Sequence, residues 1–175
     1  MSFLSIFLMD EPNQIEPIRR LPQIRDLVTD VSWYYEINQL IRPFKPKPLE
    51  TNGTYRMQQK YIERIQEFHK CIECFLCQNV CHVMRDQQVK KFAGPSFLIR
   101  ISSLAMYSLD TLNRLKELKD IFGIGYCNIT KCCTEVCPED ITITDNAIIP
   151  LKEQVTGAFN DPLAWLWRSL TFVSK

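Results

Sequence analysis

Glycine is scarce: five residues in 175, and none of them builds a G-x-G-x-x-G turn or a G-x-x-x-x-G-K-[ST] loop. Without either phosphate cradle the chain has no visible means of binding a nucleotide or flavin, so a redox substrate is expected to be handled by another subunit. Charge of one sign is missing too. Twenty-one Lys and Arg against twenty Asp and Glu leave a net charge of +1, which offers no electrostatic footprint for nucleic acid. No apolar run is long enough to span a bilayer, and no alternating stretch of useful length predicts a strand. Met1 to Met9 is apolar but lacks the basic start and small-residue cleavage site of a signal peptide, so an oxidising compartment is not indicated. With 46% apolar residues, the chain can still build a core, as one domain or two small ones.

What the sequence does have is cysteine. Eight residues fall into two runs: Cys71, Cys74, Cys77 and Cys81, then Cys127, Cys132, Cys133 and Cys137. The first is C-x2-C-x2-C-x3-C, the pattern in which three thiolates wrap one cubane and the fourth cysteine serves the other cluster of a pair. Cys127-x5-Cys133-x3-Cys137-Pro138 becomes the same pattern if a cysteine is restored three residues after Cys127, where Thr130 stands. Exchange of the fourth cysteines then puts Cys71, Cys74, Cys77 and Cys137 around one cluster, and Cys81, Cys127 and Cys133 around the other. Four thiolates suit 4Fe-4S. Three suit 3Fe-4S, because a cubane corner without a thiolate holds its iron weakly. Cys132 is then surplus and is read as a buried spare. The main competitor is structural zinc; however, zinc ribbons pair two C-x2-C knuckles, and only the first run has one.

The remaining sequence predicts an all-α, alpha-helical ferredoxin-like domain with two clusters between helices. An extended arm or linker is expected over 1–26, the cluster domain over 27–160, and an amphipathic C-terminal helix over 161–175. Asp30 can cap a first helix over 31–41, with Trp33, Ile37, Leu40 and Ile41 on one face, ended by the Pro43, Pro46, Pro48 series. A second helix from Thr54 to about Lys70 carries Tyr61, Ile65 and Phe68 at helical spacing and delivers the chain into Cys71. Short helices are expected over 74–81 and 133–137. Gly94-Pro95 opens another, running to about Asp110 with Phe97, Leu98, Ile101, Leu104 and Leu109 inward. Helices over 111–121 and 146–155 complete the set, the latter flawed by Pro150, with a brief extended link over 141–145 between the second run and that helix. The tail carries Trp165 and Trp167 among apolar residues and is read either as a core helix or as a contact to a membrane anchor or another subunit.

With both runs in place, the chain resembles the C-terminal half of the iron-sulfur subunit of succinate dehydrogenase and fumarate reductase, respiratory complex II. The resemblance runs from about Ile15 to Leu163 and includes the entry segment from Arg20 to Asp30, Cys71-Ile72-Glu73-Cys74, Gly94-Pro95, and the stretch from Gly125 to Pro138. Cys81-His82, in place of Cys-Pro, is similar to a bacterial branch of that family. The resemblance implies the same ligand exchange: 4Fe-4S on Cys71, Cys74, Cys77 and Cys137, and 3Fe-4S on Cys81, Cys127 and Cys133.

It also implies a role. Electrons would pass from succinate through FAD on a flavoprotein subunit and a 2Fe-2S centre, then through the two clusters here to quinone. Family members carry the 2Fe-2S centre in an N-terminal domain, so a separate 2Fe-2S ferredoxin-domain chain is expected, beside one or more transmembrane anchor subunits. The chain would be a subunit of succinate dehydrogenase (quinone), with no independent active site. It would sit peripherally on the cytoplasmic face of a bacterial plasma membrane or, alternatively, on the matrix face of the mitochondrial inner membrane. In the family a tryptophan after the first run and a histidine after the first cysteine of the second help build the quinone pocket. Here Asp86 lies near the former place and Asn128 takes the latter, leaving His82, Asn128, Ile129 and Lys131 as the expected quinone vicinity.

A different class stays open, a stand-alone ferredoxin-like or heterodisulfide-reductase-type carrier with two 4Fe-4S clusters, although Thr130 speaks against it. His82 is read as packing against a cluster rather than relaying protons, and His69 as a partly exposed helical residue.

Overall fold

The computed structural model of the chain describes residues 15–49, 52–85 and 92–160. Residues 1–14, most of the expected arm, and 161–175, the expected tail helix, lie outside them, as does Asp86. Where an all-α chain was expected, about half of the described residues are helical, and the linker closes in a small antiparallel hairpin, β1 (Gln23–Arg25) and β2 (Val28–Thr29). Its turn is made at Asp26, φ 50°, a conformation that short acidic side chains tolerate. The Gln23 side-chain amide donates to the Asp26 carbonyl across it. A few residues of local hydrogen bonding suffice for so small a sheet, and three or two residues per strand leave no periodicity to detect.

Asp30 does set the start of α1 (Ser32–Gln39), accepting the Ser32 N–H at 2.9 Å. The buried residue of α1 is Tyr34, however, while Leu40, expected inward, is 48% exposed. The choice is made by aromatic neighbours: Tyr34 stacks on Phe75 at 3.7 Å, and Trp33 meets Phe97 edge-on. After α2 (Gln59–Gln66) the helix tightens into a 3-10 turn, Glu67–Lys70, that ends against Cys71, with Ile65 and Phe68 buried as the spacing predicted. Tyr61 stays largely outside.

Two one-turn helices follow, α3 (Leu76–Asn79) and α4 (His82–Arg85). Then α5 (Pro95–Ala105), opened by Gly94-Pro95 as expected, becomes the central core element, with Leu98, Ile99 and Ile101 at most 2% exposed. Gly94 has φ 90°, and a Cβ there would lie 1.9 Å from Gln78 Oε1. Its missing side chain lets α5 begin hard against α3, and Gln78 Nε2 donates to the Ala93 carbonyl there.

The proline segment after α1 is not free. Arg114, with Asp110 at 2.7 Å and both side chains 2% exposed, also donates to the carbonyls of Arg42 and Pro43. That buried pair shortens the expected 111–121 helix to α6 (Leu115–Asp120), because residues 110–113 fold around the Asp110 carboxylate instead. A 3-10 turn, Ile124–Tyr126, leads into Cys127, and α7 (Cys132–Glu135) follows.

The extended link expected over 141–145 is cut short. A wide π-helical segment, Ile143–Ile148, runs directly into α8 (Ile149–Asn160). Pro150 has no N–H to give back to the preceding turn, which is where the helix opens to the wider pitch. Ile143, Ala147, Ile148 and Leu151 bury that face against α5 and α6.

Candidate metal centres

The two cysteine runs fold to nearly the same backbone. Each is entered from a 3-10 turn, and the first cysteine of each is extended, Cys71 at φ −62°, ψ 116° and Cys127 at φ −62°, ψ 124°. Two residues on, Glu73 and Ile129 take φ 55° and 60°. Two further on, Phe75 and Lys131 take φ 60° and 62° and start α3 and α7. The helices end alike, at Val80 and Val136, with φ −90° and −91°. In this register Cys127, Cys133 and Cys137 match Cys71, Cys77 and Cys81, while Thr130 stands at the place of Cys74.

Left-handed turns at non-glycine residues cost about 1–2 kcal/mol each. Four of them at matched positions are therefore a shape the loops are held to, against local preference. Backbone that alternates hand in this way forms concavities lined by peptide N–H groups, which favour negative charge.

Those loops, with α5 and the π segment between them, enclose two cavities. Cys71, Cys74, Cys77 and Cys137 line one, with Ser96, Ile99, Ile141 and Ile143 on its wall. Cys81, Cys127, Cys132 and Cys133 line a second, with Asn128, Thr130, Lys131 and Thr144 on its wall. Each run thus sends its last cysteine to the other run's cavity. α5 touches both, Ser96 facing the first and Pro95 the second.

Burial pushes the Cys77 thiol far up from its ordinary value, and neighbouring Cys71 and then Cys133 add to the rise. Cys71, Cys81 and Cys133 are raised by burial as well. As free thiols these groups hold their protons at neutral pH. Only a cation that replaces those protons makes such a buried set stable as thiolates.

The donor set selects among cations. Soft thiolates suit zinc, copper(I) and iron-sulfur clusters. Among the described residues no three His, Cys, Asp or Glu side chains converge closely enough to hold a single metal ion.

Other expected site residues separate. Asn128, Ile129 and Lys131 lie on the second cavity wall, and Lys131 is tied to Asp145 at 2.8 Å. His82 turns elsewhere, its Nδ1 3.1 Å from Arg85 Nη2. His69 is exposed, as expected, beside an open groove next to Cys71. Cys132 was read as a buried spare. It is half-buried, its Sγ lies 3.0 Å from the Thr130 hydroxyl, and it shares the second cavity with three other thiols.

Several supporting residues went unforeseen. Thr144 places its hydroxyl 3.4 Å from Cys133 Sγ and accepts from the Thr134 hydroxyl. Lys152 donates to the Cys127 carbonyl. Glu67 accepts from the Thr142 N–H and the Asn146 amide, fastening the turn before Cys71 to the π segment. The Tyr34 hydroxyl is buried with no hydrogen-bond partner among the described residues, and burial, with Cys77 next, pushes its proton affinity up. None of these has a spacing signal; each meets its partner only through the fold.

Residues 67–141 match the family described as a 4Fe-4S dicluster domain. The succinate dehydrogenase iron-sulfur subunit of Bacillus subtilis is 26% identical over 162 residues, which cover 87% of this chain and 62% of that protein. An uncharacterized iron-sulfur protein of Methanocaldococcus jannaschii is 35% identical over 145 residues, covering 79% of this chain and 27% of that one. The chain therefore spans less than two thirds of the length of these curated relatives. Among solved structures, a chain of the Mycobacterium smegmatis Sdh1 complex in the apo form superimposes with a TM-score of 0.83 at 56% identity, covering 91% of this chain and 67% of that chain.

Proposed function

The chain belongs to the family of iron-sulfur subunits of succinate dehydrogenase and fumarate reductase, and from that premise we propose that it is the electron relay of a succinate:quinone oxidoreductase. Cys71, Cys74, Cys77 and Cys137 hold 4Fe-4S; Cys81, Cys127 and Cys133 hold 3Fe-4S. The observation that supports this most is the exchange of Cys81 and Cys137 between two otherwise matching loops, the arrangement a paired-cluster run demands. When bound, the clusters supply one-electron carriers.

The protein's own part is to hold and insulate them. Ile99 of α5, Ile143 of the π segment and Ile141 just before it give the first cavity an apolar wall beside its sulfurs. The second cavity lies under an exposed lip, Asn128 to Lys131, through which an acceptor can approach. Ile129 offers apolar surface, Asn128 an amide, and Lys131 a charge already balanced by Asp145. These three are the residues we assign to the neighbourhood of quinone. His82, turned to Arg85, is less suited to it.

Electrons enter from a flavoprotein carrying FAD and from a 2Fe-2S centre elsewhere in the assembly. Among the described residues no helix is long and apolar enough to cross a membrane, so attachment is assigned to a separate anchor subunit, peripherally on the cytoplasmic face of a bacterial plasma membrane.

Low-temperature paramagnetic resonance of the air-oxidised, anaerobically purified assembly tests this reading. A signal near the free-electron value with about seven irons on this chain is expected. About eight irons with no oxidised signal would instead favour a carrier with two 4Fe-4S clusters, and zinc without iron would exclude both.

A further inference from the structure

The second cavity contains one thiol that a three-iron cluster leaves unused. In the shared register of the two loops Cys132 stands where the first loop has Leu76. Leu76 is 37% exposed and lies off the first cavity wall, whereas Cys132 is on the second. Its Sγ is 3.0 Å from Thr130 Oγ1, the hydroxyl that occupies the place of Cys74, which is the ligand missing from the second run. The sulfur therefore sits beside the spot from which a fourth ligand would come.

We propose that Cys132 is the ligand of a fourth, removable iron at the second cluster, so that this site takes up and releases ferrous ion. The inference rests on the three-iron reading above. Among the other polar groups on that wall, Thr130 and Thr144 offer neutral hydroxyls and Asn128 an amide, all poor ligands for ferrous iron among sulfides. Lys131 is engaged by Asp145 and has no lone pair to give while charged. Cys132 alone adds a soft donor.

The step balances. The three-iron cluster accepts one electron from the upstream centre to become [3Fe-4S]0. That species, Fe2+ and the Cys132 thiol give [4Fe-4S]2+ bound by the Cys132 thiolate, with the thiol proton released to water. An iron–sulfur bond forms and an S–H bond breaks. Removal of one electron by an oxidant such as ferricyanide expels Fe2+ and restores [3Fe-4S]+, with the Cys132 thiol reprotonated from water.

The test uses the anaerobic assembly, as wild type and as Cys132→Ser, titrated with ferrous ammonium sulfate under dithionite and then re-oxidised with ferricyanide. After each ferrous addition, excess iron and dithionite are removed anaerobically and iron per chain is read, because reduction alone silences the oxidised three-iron signal; that signal is read as purified and again after ferricyanide. Loss of even an outer-sphere partner weakens metal sites roughly 10–100-fold, so Cys132→Ser is expected to need at least about tenfold more ferrous ion for half-conversion. Thr130→Ala should convert as the wild type does. Conversion of Cys132→Ser at the wild-type iron concentration would overturn the proposal, as would a wild type that gains no iron per chain after reduction and ferrous addition. The signal before iron is added reports the underlying reading separately. A wild type silent as purified, beside a Cys132→Ser variant that shows the signal, would establish the ligand and refute the resident three-iron cluster.

Discussion

The two cysteine loops share a backbone and part company in their side chains. Where the first has Cys74 and Leu76, the second has Thr130 and Cys132; where the first cavity has Glu73, Ser96 and Glu139 beside its isoleucines, the second has Asn128, Lys131 and Thr144 beside Phe92, Ile129 and Ile148. Backbone shape thus sets that a cluster is held, and side chains set which one and at what potential. Hydrogen bonds to sulfur and a polar surround raise a cluster's potential. Thr144, its hydroxyl 3.4 Å from Cys133 Sγ, is such a donor at the second site and, on the proposed assignment, would raise that cluster's potential.

The largest break in this comparison comes from Cys77→Ser, which removes the most buried thiol of the first set. Iron is expected to fall from about seven to about three per chain or fewer, measured on the purified assembly, and a full complement would refute the ligand assignment. Gly94→Ala drives a Cβ into Gln78, at a φ that L side chains rarely adopt. Overpacking and backbone strain together should cost about 3 kcal/mol, read as a lower denaturation midpoint, without removing any thiol.

Thr130→Cys makes the loops alike. A fourth iron should bind and the oxidised three-iron signal should vanish; persistence of that signal in a folded variant would break the register. Thr144→Val takes the hydroxyl from Cys133 and should lower the second cluster's potential while leaving the first unchanged, as a redox titration can show.

The smallest effect is a pH slope. Burial raises the proton affinity of Glu67, but hydrogen bonds from Thr142 and Asn146 and the nearby Lys70 outweigh it, so its pKa lies below 4.5. A depressed carboxyl pKa gives stability that is present above the unfolded value and is lost as pH falls through the folded one. Melting temperature should therefore drop below about pH 4.5 in the wild type, and Glu67→Gln should flatten that fall.

Much of this was legible in the cysteine spacing. The placement of Cys81 and Cys137 on opposite cavities, the short helices α3 and α7, and the start of α5 at Gly94-Pro95 all follow from local rules: cysteine intervals, tight turns and a proline at the first helical turn. What stayed hidden depends on partners far along the chain. Tyr34 displaces Leu40 from the core because Phe75 offers it a ring, more than forty residues distant in sequence. Arg114 shortens a helix that periodicity extends, since its guanidinium serves two carbonyls of the proline segment. Cys132 looked spare because the ligand count was already full at Cys133; only the fold shows which wall it joins. The left-handed turns at Glu73, Phe75, Ile129 and Lys131 had no sequence signal, because none of these residues favours that conformation.

The exchange of Cys81 and Cys137 also bears on how the protein matures. Neither chamber has its full set of thiols until both loops are in place, so iron delivered to a half-folded chain meets three donors or fewer on each side. Once filled, each inorganic core ties together segments more than forty residues apart, and the resulting closed loops remove freedom from the unfolded chain much as a long-range covalent staple does. On the proposed ligand assignment the two cores interlock, so loss of one would release a loop on which the other depends. On that assignment, damage at either site would be felt at the other, and repair would rebuild both together.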